Sequence, residues 1–127
     1  MVQETINILG KDVNLGYCYA VEISFKTLAE EEIHNFVPLA VKSVSEDKRL
    51  PDIQKSCYLI LASMLAYYES KGEKAPIEDK DLMYNCTAEE LGLALGTVIK
   101  LYSQFYHLVQ EEAAKAAEEQ KGSTGKN

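Results

Sequence analysis

The chain has no tryptophan, two histidines and three cysteines. It also lacks any apolar run long enough to cross a membrane. Each scarcity removes a class of protein. Cys18, Cys57 and Cys86 are odd in number and widely spaced, so they fit neither a disulfide framework nor a zinc site built on CxxC pairs; they read as reduced, small apolar side chains. The longest apolar run is about 12 residues, against the roughly 20 that a spanning helix needs. The opening MVQETINILG has no basic region followed by an apolar core, so no signal peptide is expected and the protein is expected to be cytoplasmic. Positive charge is short as well: 13 Lys and Arg against 20 Asp and Glu give a net charge of −7. Phosphate binding is built from Lys and Arg, so nucleic acid and anionic membranes are poor partner candidates. Neither His34 nor His107 lies in HExxH spacing or near a cysteine in sequence, and GxSxG, P-loop and GxGxxG motifs are absent. The acidic clusters Glu30–Glu32 and Glu78–Asp81 fall at a helix start and in a connector, where solvated carboxylates are ordinary. No catalytic, metal-binding or cofactor-binding residue is assigned, and the chain is expected not to be an enzyme.

What is present is a core. At 127 residues, 46% of them hydrophobic, the chain suits one globular domain that needs neither disulfide nor metal. The stretch PDIQKSCYLILASMLAYY, Pro51 to Tyr68, is its centre. Ile53, Cys57, Ile60, Leu61, Met64, Leu65 and Tyr68 recur at helical spacing, and Leu59, Ala62, Ala66 and Tyr67 make the other faces apolar, the pattern of a helix covered on several sides. Pro51 and Asp52 are expected in its first turn and Gly72 at its stop. Before it, Ile6, Ile8, Val13 and Leu15 alternate as in a half-buried hairpin turning at Gly10-Lys11-Asp12. Gly16 ends that pattern. Val21, Phe25 and Leu28 then mark a helical stripe over Tyr17 to Ala29, with Glu22 and Lys26 as an i, i+4 pair on the wet side. Pro38 either interrupts the segment that follows or opens a second short helix. Ser70 to Asp79 is a polar connector, and one helical turn follows with Leu82 and Met83 facing inward. Thr87-Ala-Glu-Glu90 is a capping box opening a last long helix. The expected fold is α+β, mainly α: an N-terminal β-hairpin packed on a bundle of about four helices, two of them long. Residues 1–110 form the domain; 111–127 form a helical extension and a flexible tail.

Two features invite a binding role. Eight tyrosines occur in the chain. Tyr67 and Tyr68 sit near the end of one long helix, and Tyr102, Phe105 and Tyr106 near the end of the other. They either close the ends of the core or form a partner surface, since aromatics are enriched at interface centres. Gly92 and Gly96 share one face of the last helix. Mid-helix glycine costs up to ~1 kcal/mol, which close approach of another backbone would offset. That backbone belongs to the central helix or to a second subunit. The segment TAEELGLALGTVIKLY has the outline of a helix-turn-helix with Gly96 at the turn. Its second half presents Val98, Ile99, Leu101, Phe105 and Leu108 with a single lysine, where a recognition helix needs polar and basic groups.

The hairpin INILGKDVNL running directly into YAVEISFKTLAEEEIHNFV resembles the opening of the small tail assembly chaperones of long-tailed bacteriophages and prophages. The positions that carry the resemblance are Gly10-Lys11, Phe25, Leu28 and the acidic segment Glu31–Phe36; the helical remainder, the Ala- and Lys-rich end and the length are similar too. The resemblance implies a non-enzymatic protein that binds the tape measure protein, with the tail tube protein as a second client, and is absent from the finished virion. Self-association is a further expectation. The alternatives are another small phage structural protein, such as a head–tail connector component, and a helical DNA-binding regulator.

Overall fold

The computed structural model describes residues 1–124, with side chains to residue 119. Its elements are a two-stranded antiparallel hairpin, β1 (Val2–Ile8) and β2 (Lys11–Tyr17), then helices α1 (Tyr19–Ala29), α2 (Ile33–Ser45), α3 (Ile53–Lys71), α4 (Asp79–Tyr84) and α5 (Ala88–Thr124). The fold is α+β and mainly α, as expected.

Ile6 pairs with Val13 and Glu4 with Leu15. One hairpin face therefore carries Ile6, Ile8, Val13, Leu15 and Tyr17, all buried. The turn is Leu9-Gly10 rather than Gly10 to Asp12. Both residues have positive φ, 54° and 72°, the pattern of a two-residue hairpin turn whose twist matches the strands. Leu9 is costly in that conformation, and its amide is tied 2.6 Å from Glu90 Oε2 at the start of α5.

Gly16 does not end β2 but lies inside it, buried against α3. A Cβ there would come within 2.5 Å of Met1 Sδ and 3.3 Å of Tyr67 Cβ. Its carbonyl accepts a hydrogen bond from the buried Ser63 hydroxyl at 2.7 Å. This is where a glycine lets two elements approach closely.

Helix α3 packs against β2, α1, α4 and α5, so the stretch read as the centre is the centre. Cys57, Leu59, Ile60, Ala62, Met64, Ala66 and Tyr68 are buried; Leu61 and Leu65 are half-buried and Ile53 is exposed. Pro51 precedes the helix. Asp52 is its N-cap, accepting from the Lys55 amide at 3.0 Å. Gly72 closes it in the left-handed conformation, as its position implied. Helix α2 runs unbroken through Pro38, whose exposed position leaves the unbonded His34 carbonyl on the solvent side. In α4, Leu82 is buried but Met83 faces out.

Thr87 and Glu90 form the expected capping box: the Glu90 amide donates to Thr87 Oγ1 at 3.1 Å, and the Thr87 amide to Glu90 Oε1 at 3.0 Å. Helix α5 then continues across Gly92 and Gly96 without a turn, so the helix-turn-helix outline is not realised. It extends to Thr124; the last three residues of the expected tail lie outside the described ones. Among the described residues, no helix is long and apolar enough to cross a membrane.

Candidate functional site: an aromatic cluster around Glu22

Tyr17 ends β2, and Cys18 leads directly into α1, which places Glu22 beside the tyrosine ring. Helix α5 passes the same point with Tyr102, Phe105 and Tyr106 facing inward, and the first turn of α2 adds His34. The Tyr17 ring lies 5.6 Å from Tyr102, 5.3 Å from Phe105 and 6.4 Å from Tyr106, the first and last edge-on. Tyr19 meets the face of Phe105 edge-on at 5.0 Å. Such pairs add roughly 0.5–1.5 kcal/mol beyond area burial.

The hydroxyls converge on one carboxylate. Tyr17 donates to Glu22 Oε2 at 2.8 Å, and Tyr106 donates to the same oxygen. His34 Nε2 lies 3.6 Å from Glu22 Oε1, and His34 Nδ1 lies 2.8 Å from the Tyr102 hydroxyl. Burial, then the hydrogen bond to Glu22 and its charge, hold the Tyr17 and Tyr106 hydroxyls well above the usual phenol range. Burial followed by the Glu22 charge does the same to Tyr102. The phenols are therefore neutral donors at physiological pH, and the network clamps β2, α1, α2 and α5 together. Glu22 does not pair with Lys26 on the wet side, as its spacing suggested. Lys26 instead reaches Glu32 at 2.7 Å.

The residues singled out in sequence separate into two places. Tyr102, Phe105 and Tyr106 are half-buried and meet in this cluster. Tyr67 lies against Gly16, with Lys71 Nζ 5.8 Å from its ring centre. Tyr68 is buried, and its hydroxyl accepts from the Asn14 amide at 3.0 Å. Tyr68 thus supports the hairpin from below, whereas Tyr67 is half-buried. A Cβ at Gly96 would meet nothing within 4 Å, and one at Gly92 only Leu50 at 3.9 Å, so among the described residues no element packs closely on them, which of the two expected neighbours leaves the second subunit. Tyr17, Glu22 and His34 went unrecognised in sequence. Glu22 is 84 residues from Tyr106, and no local spacing signals such a pair.

Elsewhere the reactive groups are subdued. The three cysteines are free. Burial pushes the Cys57 thiol up; burial, with Glu90 and other charges nearby, raises Cys86. Among the described residues no three His, Cys, Asp or Glu side chains are grouped as a metal ion would require.

Fold and cluster together define a small α+β domain whose converging polar groups are engaged with one another. No family model matches the chain, and neither the curated proteins nor the solved structures contain a match.

Proposed function

We propose that this chain is a tail assembly chaperone of a long-tailed bacteriophage or prophage. In this reading it is a non-enzymatic protein of the host cytoplasm that holds segments of the tape measure protein, and secondarily the tail tube protein, while a tail is built. The observation that carries the reading is the order of elements: a hairpin turning at Gly10 runs directly into α1, and the acidic segment Glu31–Phe36 leads into a helical remainder. Two features are consistent with binding rather than catalysis. The hydroxyls around Glu22 are spent on internal hydrogen bonds. Large apolar side chains, among them Ile23, Leu39 and Val44, are left in solvent, where they can cover apolar helical segments of a client. The net charge of −7 would keep such a complex soluble.

Co-expression with the tape measure protein encoded in the same element tests this. The expected result is a soluble complex that co-purifies through size exclusion. A tape measure protein that stays insoluble, with this chain eluting alone, overturns the reading. Mass spectrometry of finished virions separates a chaperone, absent from them, from a connector component, which remains.

A further inference from the structure

The apolar residues of helix α1 are not all turned into the core. Val21 and Phe25 are fully buried, whereas Ile23 is 69% exposed and Leu28 39%. The outward pair is not scattered. Ile23 and Leu28 line one shallow depression of about 290 Å³ together with Leu65 of α3. Leu65 also lines the next depression, about 310 Å³, with Leu61, Ala75 and Ile77. The two depressions share Leu65 and adjoin across α3, one reaching α1 and the other the connector before α4; together they form the α1–α3 groove. Contiguous apolar surface of this kind marks an interaction site.

The rim selects the occupant. Glu69 follows Leu65 by one turn on the same face of α3. Glu78 and Asp79 line the groove, Glu73 lies in the connector between them, and Glu30 closes α1. These carboxylates have no ion-pair partner among the described residues. The five carboxylates outnumber the four cations beside them: Lys74 also lines the groove, Lys11 Nζ donates to the Pro76 carbonyl at 3.1 Å, Lys80 follows Asp79, and Lys71 is drawn over the Tyr67 ring. A second copy of this chain would bring the same acidic rim and another net charge of −7, and like charges facing across an interface are unfavourable. A helix with an apolar stripe at i, i+3/i+4, i+7 and Lys or Arg along its edges satisfies both floor and rim.

We propose that the α1–α3 groove binds an amphipathic helix of another protein, apolar on one face and basic along its edges. The proposal deepens the chaperone reading by naming the face that holds the client and the chemistry of the client segment, and in that respect rests on it.

The probe is a fluorescein-labelled peptide of about 18 Leu and Lys residues patterned as an amphipathic helix, titrated with the full chain at low salt. A companion carries Glu in place of Lys. The Leu–Lys peptide is expected to bind about tenfold tighter or more than its companion. The Ile23→Ser/Leu28→Ser double variant should weaken it by about tenfold or more, because two aliphatic contacts are lost. Glu69→Gln with Glu73→Gln should weaken it at low salt and flatten its salt dependence. Leu93→Ser, exposed on α5 outside the groove, should leave it unchanged. Circular dichroism establishes that each variant is folded. Should the double variant lose helicity, Ile23→Lys, at a site largely in solvent, replaces it. Equal binding by a folded groove variant overturns the proposal, as does equal binding of both peptides. A wild-type dimer that Ile23→Ser/Leu28→Ser renders monomeric also overturns it, by giving the groove to a second copy. The tape measure complex separates this proposal from the functional one. Retention by wild type and groove variant alike removes the groove and keeps the chaperone. Peptide binding without tape measure retention keeps the groove and removes the chaperone.

Discussion

An alanine at Gly96 would add a Cβ that meets nothing within 4 Å, whereas the same change at Gly16 drives a Cβ against Tyr67 and Met1. The two glycines thus make opposite predictions. Gly96→Ala should stabilise the protein by up to about 1 kcal/mol through helix propensity alone. Gly16→Ala should cost about 1–3 kcal/mol, since Met1 can swing aside but Tyr67 Cβ cannot. Urea unfolding midpoints read both. A destabilised Gly96→Ala monomer would mean that α5 has a close neighbour after all. A stable Gly96→Ala variant that no longer self-associates would place that neighbour on a second subunit. Glu22 illustrates another single-residue effect: one carboxylate collects hydroxyls from β2 and α5 and lies beside His34 of α2, so it ties four elements together.

Helix ends carry the clearest element-level signal. Glu90 caps α5 through Thr87 and, with its other oxygen, holds the Leu9 amide of the hairpin turn. The Leu9 amide first, then that of Thr87, hold the Glu90 carboxyl below its ordinary value of 4.5. Its contribution to stability is therefore present above pH 4.5 and is lost as pH falls through the depressed folded value. The tyrosines set the other limit. Tyr17 and Tyr106 are raised above 10.0 in the fold, so the stability they add is present below pH 10 and declines as pH rises beyond it. A plateau between about pH 5 and pH 10 is expected in urea midpoints. Glu90→Gln, with one oxygen where two are used, should lower the plateau and soften its acid edge; an unchanged acid edge would remove Glu90 from that role. Tyr106→Phe should soften the alkaline edge. The caps were legible in sequence because their partners are three residues apart, and the alternation of Ile6, Ile8, Val13 and Leu15 was legible because its period is local. The Glu22 network was not, since its members are joined only by the tertiary fold. Pro38 misled because its cost depends on which side of the helix it faces. The hairpin turn was misplaced because Leu9 takes a backbone conformation that its side chain disfavours and that the distant Glu90 stabilises.

Over the whole molecule, α5 runs on past the body it packs on. Its 37 residues span about 55 Å. Among the described residues the last of α5 that is fully buried is Leu101, and Tyr102, Phe105 and Tyr106 complete the cluster. Glu112 still borders the depression beside Met1 and Val2. From Ala113 to Glu119 every residue is exposed, and an alanine-rich segment of this kind holds its helix by propensity rather than by packing. Ending the chain at Glu112 should therefore leave the urea midpoint and the denaturant slope essentially unchanged, because the described residues it removes carry no packed surface. The helical circular dichroism per molecule should fall with the deleted turns. Leu–Lys peptide binding should persist, since the groove is built on α1, α3 and the connector before α4. A clear loss of stability would show that the extension belongs to the domain. If the shortened chain binds the peptide but no longer retains the tape measure protein, the extension is a second contact to the client, placed by the length of α5 at a distance from the groove.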